Sequence, residues 1–122
     1  MDYFCDTYAL YSFVTGNESY GKYFRNFKIA TTKLNLIELF YIVLRDYLDL
    51  NKAREYYRFF LPYIAEVSDD AIEKAMQFKL KHKEEKVSYV DCIVYALSQE
   101  LGIKFLTGDE KFKDKQNVEF VK

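Results

Sequence analysis

The sequence predicts an α/β domain in which a parallel sheet carries helices on both faces. Three observations point there. Short runs suited to buried strands alternate along the chain with segments of helical periodicity, the order that builds βαβ crossovers. The chain has 122 residues, 50% of them hydrophobic and 19% aromatic, enough to fill one core. Its last third, Ser88 to Phe112, reads in direct succession as helix, glycine stop, short strand and turn.

Asp2 to Cys5 is the first strand, a Tyr-Phe-Cys run fit for burial, and Asp6 with Thr7 has the character of a helix cap. A helix from Tyr8 to Val14 gives way to a Gly/Asn/Ser loop, and a second helical piece runs from Tyr20 to Phe27 with Tyr23, Phe24 and Phe27 close to one face. Lys28 to Thr32 is strand-like. The strongest helix spans Lys33 to Leu50 and is apolar on nearly every side, which predicts burial all round. An amphipathic helix from Asn51 to Leu61 is stopped by Pro62, and Ile64 to Val67 follows as a further short strand. Ser68 caps a helix from Asp69 to about Lys81, whose end is a charge run holding His82, the single histidine. The helix that opens at Ser88 closes at Gly102, and the strands Ile103 to Thr107 and Val118 to Val121 complete the order. No repeat or linker interrupts it, so residues 1–122 form one domain.

Composition narrows the function. Lys+Arg 18 against Asp+Glu 19 gives a formal net charge of −1, so any surface that attracts nucleic acid must be local. The two cysteines, Cys5 and Cys92, make neither a disulfide scaffold nor a zinc spacing; they read as small buried apolar residues in a reducing cytoplasm. The longest strongly apolar stretch, Leu39 to Leu44, is too short to span a bilayer, and the N-terminus has no leader pattern, so a soluble protein is expected. With its one histidine in a charge run, the chain offers no Ser-His-Asp or Cys-His arrangement, and its four glycines form no phosphate-cradling loop. Carboxylate chemistry remains.

Four acids are the candidates. Asp6 ends the first strand, Glu38 is the only charge between Leu34 and Leu44, Asp91 lies in the first turn of the Ser88 helix, and Asp109 sits in the turn after the next strand. Strand C-terminal edges are where ligands collect in open α/β sheets. Each acid also has a structural role open to it. Ser88 and Asp91 have the form of a capping box, Asp109 suits a turn, and Glu38 has both a box with Asn35 and a pairing with Arg45 available. If the four converge, like charges about 5 Å apart repel by roughly 3 kcal/mol per pair at an effective dielectric near 20. Such a cluster calls for a cation or for shared protons, and all-oxygen ligation suits Mg²⁺ or Mn²⁺ working on a phosphodiester.

The segments CDTYAL, NLIELF, SYVDCIVYALSQELGI and FLTGDEKF, in that order, resemble a PIN domain of the small VapC-type toxin ribonuclease kind. The resemblance covers nearly the whole chain, and the final segment is its most specific part. It implies a three-layer α/β/α sandwich with a mostly parallel central sheet, an Mg²⁺- or Mn²⁺-dependent endoribonuclease, and frequent dimerisation. Asp6, Glu38, Asp91 and Asp109 fall on the family's acidic positions, and Thr107 on the Thr/Ser that helps hold the last acid's loop. Tyr8 departs from the family, which often has a small or polar residue there.

The expected activity is metal-assisted hydrolysis of single-stranded RNA. Asp6 and Asp91 would bind the ion directly, Glu38 and Asp109 directly or through water, and no side-chain base is required. Tyr8 and Tyr89 have two roles open, stacking unpaired bases at the mouth or filling core. The expected partners are the RNA, an antitoxin, and a second copy meeting the aromatic-rich helices 20–27 and 51–61 in a homodimer. Two other readings stand beside this one. A non-catalytic PIN-like module would bind RNA or protein and use the acids structurally; a DNA nuclease would share the chemistry, since nothing in the sequence reads a 2′-hydroxyl.

Overall fold

A strand covered by helices on both sides must send apolar residues in both directions, and the short strands here do so. The computed structural model describes all 122 residues, Met1–Lys122. Its elements are β1 (Tyr3–Cys5), α1 (Thr7–Val14), α2 (Glu18–Asn26), β2 (Ile29–Ala30), α3 (Lys33–Tyr47), α4 (Leu50–Phe60), α5 (Asp69–Lys81), α6 (Tyr89–Leu101), β3 (Lys104–Thr107) and β4 (Val118–Phe120). The strands form one sheet in the order β2-β1-β3-β4, and every pairing is parallel. Phe4, Ala30 and Phe105 pack with residues of α5 and α6, while Cys5, Ile29 and Leu106 pack with residues of α1 to α4. Successive residues thus serve opposite layers, the period of two that a pleated strand imposes. The product is a three-layer α/β/α sandwich. No helix is long and apolar enough to cross a membrane.

Local chemistry sets the element ends. Side-chain oxygens of Asp6, Asn17, Thr32, Asp49, Ser68 and Ser88 accept the free amides at the starts of α1 to α6 in turn. Gly102 closes α6 with φ +70°, a conformation that costs glycine little.

The structure corrects three expectations. Ile64 to Val67 is no strand: Ile64 alone bridges Thr31, with Ala65 donating its amide to the Thr31 carbonyl. The edge strand β2 is two residues long and Thr32 already caps α3, so no extended backbone is left to pair with. The helix expected over 33–50 ends at Tyr47, because Leu48 turns left-handed (φ 51°, ψ 37°) and Asp49 starts a new helix. Nor is α3 buried all round. Leu36, Leu39 and Val43 face the core, but Ile37 and Tyr41 lie open, 56% and 63% exposed. Their side of α3 forms a wall of the cleft described below.

Leu48 offers a test of this break. It is 88% exposed and so has little packing to lose, yet it holds a backbone conformation that a Cβ disfavours. Leu48→Gly should therefore raise stability by about 1 kcal/mol, read as a higher urea midpoint at unchanged slope.

Candidate active site

Parallel strands end at the same edge, and the register of β1 with β3 pairs Cys5 with Leu106, so the residues that follow, Asp6 and Thr107, emerge side by side. The chain runs from β1 to β2 on one flank and returns to β3 on the other, which makes the β1/β3 edge the switch point where α/β sheets bind ligands. A cleft of about 1060 Å³ opens there. Asp6, Glu38, Asp91 and Asp109 all line it, together with Thr7, Tyr8, Tyr11, Ile37, Tyr41, Arg45, Asp46, Lys111 and Lys122.

Asp6 is almost wholly buried, 2% exposed. One carboxylate oxygen accepts the Ala9 amide at 2.8 Å, capping α1, and the other accepts the Thr107 hydroxyl. Thr107 in turn accepts the Asp109 amide at 3.0 Å, so a single hydroxyl joins the first acid to the loop of the last. Asp109 caps the short 3-10 turn Glu110–Phe112, its carboxylate accepting the Lys111 amide at 3.0 Å. Asp91 lies half-buried in the first turn of α6, where its own amide donates to the Ser88 hydroxyl at 3.0 Å. Capping and cleft-lining roles therefore coexist in Asp6, Asp109 and the Ser88–Asp91 pair.

Glu38 takes neither structural partner that the sequence offers it. Its Oε1 accepts the Thr7 hydroxyl at 2.5 Å, from a residue 31 positions away, while Arg45 turns to Asp46 at 2.7 Å. None of the four acids belongs to an ion pair; the molecule's salt bridges are Arg45–Asp46, His82–Glu85, Lys115–Glu85 and Lys122–Glu110. Burial accordingly pushes the Asp6 carboxyl up to about 8, with Asp91 and Asp109 adding like-charge repulsion against the two hydrogen bonds that favour its ionised form. Burial likewise raises Asp91 to about 6, with Ser88 and the Lys111 ammonium opposing it and Asp109 and Glu38 reinforcing it.

Several wall residues had no signal in the sequence. Tyr11 donates its hydroxyl to Asp46 at 2.9 Å across 35 positions, and the Lys122 ammonium lies 5.8 Å from the Tyr8 ring centroid at the cleft mouth. Tyr8 rests on Gly108: a Cβ there would meet the ring at 2.2 Å and the Val121 carbonyl at 2.6 Å. Tyr89 is 64% exposed under the Lys79 ammonium but does not line the cleft. Cys5 and Cys92 are buried in opposite layers as free thiols, and His82 pairs with Glu85 at 2.5 Å away from the cleft.

The PIN domain family matches residues 3–118, nearly the whole chain. The chain belongs to the PIN domain family. No curated protein matches it, but solved structures do. A VapC20 toxin of Mycobacterium tuberculosis, described as cleaving the sarcin-ricin loop, superposes with a TM-score of 0.81 at 19% identity, over 97% of this chain and 98% of that one. A toxin-antitoxin complex from Klebsiella pneumoniae gives 0.73 at 19% identity, covering 98% and 96%. VapBC2 of Rickettsia felis, solved on a promoter DNA fragment, gives 0.73 at 17% identity, covering 99% and 98%. At such identities the likeness is one of fold, and this PIN domain shares the fold along its full length.

The raised carboxyls fix the pH response of this PIN domain. In the unfolded chain both aspartates titrate near 3.8, so between about pH 4 and about pH 8 the folded state binds more protons. The depressed carboxyls of Asp46 and Glu85 act below that window. Stability of the metal-free protein should fall as pH rises from about 5 to about 8.5, followed by urea denaturation, and Asp6→Asn should flatten the upper part of that fall.

Proposed function

We propose that this PIN domain is a divalent-metal-dependent endoribonuclease that hydrolyses phosphodiester bonds of single-stranded RNA, acting as the toxin of a toxin-antitoxin pair in the cytoplasm. The observation that carries the reading is the cleft at the β1/β3 edge, where Asp6, Glu38, Asp91 and Asp109 stand without an ion-pair partner while the two other acids of its lining, Asp46 and Glu110, are paired with Arg45 and Lys122. A buried acid without a cation is costly unless the site serves to take one up. The folds it shares with VapC20 and with two toxin-antitoxin complexes support the toxin assignment and an antitoxin partner.

The donor set fits Mg²⁺ or Mn²⁺, being all oxygen and anionic. As placed, no three of these side chains form a ready-made cage. Mg²⁺ commonly keeps several waters and takes only one or two carboxylates. Asp6 and Asp91 are assigned to hold the ion directly, with Glu38 and Asp109 reaching it directly or through water. The bound ion would supply a water of lowered pKa and screen charge developing on the phosphoryl oxygens. The chain itself holds Asp6 through Ala9 and Thr107 and fixes Asp109 over the same hydroxyl. Lys111 offers positive charge on the cleft wall for a flanking phosphate, and Arg45 and Lys122, paired with Asp46 and Glu110, would add theirs on exchanging those acids for the RNA. Tyr8, 37% exposed at the mouth, offers a face on which an unpaired base stacks, favouring a single strand.

The same reading includes a homodimer. Tyr20, Tyr23 and Phe60 of the aromatic-rich helices turn inward, but Phe27, Phe59, Leu61 and Tyr63 stay open, a surface that a second copy would cover. Light scattering at high micromolar concentration should return twice the chain mass, and a monomer there would remove the dimer from the proposal.

Metal and cleavage are tested together. Mn²⁺ at about a hundred times its dissociation constant should stabilise the wild type by about 2.7 kcal/mol, and a mixed RNA pool should be cut only when the metal is present. Asp91→Asn should hold or raise metal-free stability, because it removes a charge set among like charges, and should lose both the metal shift and the cleavage. An equal Mn²⁺ shift in the two proteins would overturn the site. RNA binding without cleavage in the wild type would turn the protein into a non-catalytic binding module.

A further inference from the structure

Beside the cleft, the half-buried Glu38 is reached by a chain of hydrogen bonds running entirely through side chains. Thr32 accepts the Asn35 backbone amide at 3.2 Å, which leaves its hydroxyl proton to donate to Asn35 Oδ1 at 2.6 Å. That bond fixes the orientation of the carboxamide, whose Nδ2 then donates to Thr7 Oγ1 at 3.1 Å. Thr7 spends its one proton on Glu38 Oε1 at 2.5 Å. Thr32 and Asn35 are fully buried and Thr7 nearly so. No buried side-chain nitrogen or oxygen is left without a partner. Each proton in the series points toward Glu38, an arrangement in which successive bonds polarise one another.

We propose that Thr7 and Asn35 are positioning residues for Glu38, holding one of its oxygens to the protein so that the other is presented to the cleft. The inference rests on Glu38 belonging to the proposed cation-binding set. Its structural basis is the placement of Thr7, which follows Asp6 in sequence, opens α1, and bonds across to α3. The carboxylate of α3 is thereby tied to the helix that Asp6 caps, so the two acids share one frame. A long glutamate chain on an open helix face otherwise has free rotamers to lose when it meets an ion. Outer partners that orient a metal-binding carboxylate typically change metal affinity 10- to 100-fold when removed.

The test compares Thr7→Val, which keeps shape and deletes the hydroxyl, with Thr7→Ser, which restores it. Isothermal titration with Mn²⁺ alone should show affinity falling about 10- to 100-fold in Thr7→Val and returning to within a few-fold of wild type in Thr7→Ser. The rate constant for RNA cleavage at saturating substrate should follow the same order, with KM for RNA little changed. Asn35→Ala, which removes the bond one step further out, should give the same loss in smaller measure and serves if Thr7→Val does not fold. In a Glu38→Gln background, Thr7→Val should add no further loss of Mn²⁺ affinity, because its action runs through the missing carboxylate. A Thr7→Val protein with wild-type Mn²⁺ affinity, whatever its melting temperature, would overturn the proposal, as would additive losses in the double variant. A wild type that neither binds Mn²⁺ nor cuts RNA would instead overturn the nuclease reading on which the proposal stands.

Discussion

The hydroxyl of Thr107 holds the β1/β3 edge together. It donates to Asp6 at the end of β1 and accepts the amide of Asp109 beyond β3, so one buried oxygen decides how two strands present two acids. Only a parallel pair makes this bond available, because only parallel strands bring both carboxyl ends to one side. The register Cys5 with Leu106 then leaves no freedom: a slip of one residue would turn Thr107 into the layer below and leave Asp6 buried without its second donor. Sheet topology, helix capping and the geometry of the cleft are therefore one constraint seen at three scales.

Stability and charge oppose each other at that edge. Away from the four acids the protein pairs its charges, in Arg45–Asp46 and Lys122–Glu110 on the cleft wall and in the His82–Glu85–Lys115 group outside it. To Asp6, Glu38 and Asp109 themselves it offers only neutral hydrogen-bond donors, the amides of Ala9 and Lys111 and the hydroxyls of Thr7 and Thr107. Neutral donors fix an oxygen in place without cancelling its charge. In the proposed reading such a site would keep its attraction for a cation at the expense of the metal-free protein's stability, and the large aromatic core, with Phe4, Phe60, Phe105 and Phe112 fully buried, offsets that cost.

Much of this was legible in the sequence. Caps such as Ser68 and Ser88 and the Gly102 stop depend on chemistry within a few residues, and they lie where the sequence places them. The discomfort of Glu38 was legible too, as a lone charge in an apolar run, but its partner was not: Thr7 is 31 positions away, and only the packing of α1 on α3 brings them together. The same limit hid the Tyr11–Asp46 bond. Two errors have a different origin. Apolar residues on every side of α3 suggested full burial, yet Ile37 and Tyr41 border an open cleft, where no other element packs over them. The run Ile64 to Val67 has strand-like residues, but pairing needs a partner, and β2 is too short to provide one.

The contact between Tyr8 and Gly108 links two positions a hundred residues apart. Because the phenol ring fills the place that any Cβ at 108 would take, and the Val121 carbonyl closes the other side, even alanine is excluded while the ring stays where it is. Sequence drift at these two sites must therefore be ordered: position 8 has to shrink and the C-terminal segment has to shift before position 108 can gain a side chain. Along any lineage of this chain the pair should vary as a unit, the glycine persisting for as long as the ring does.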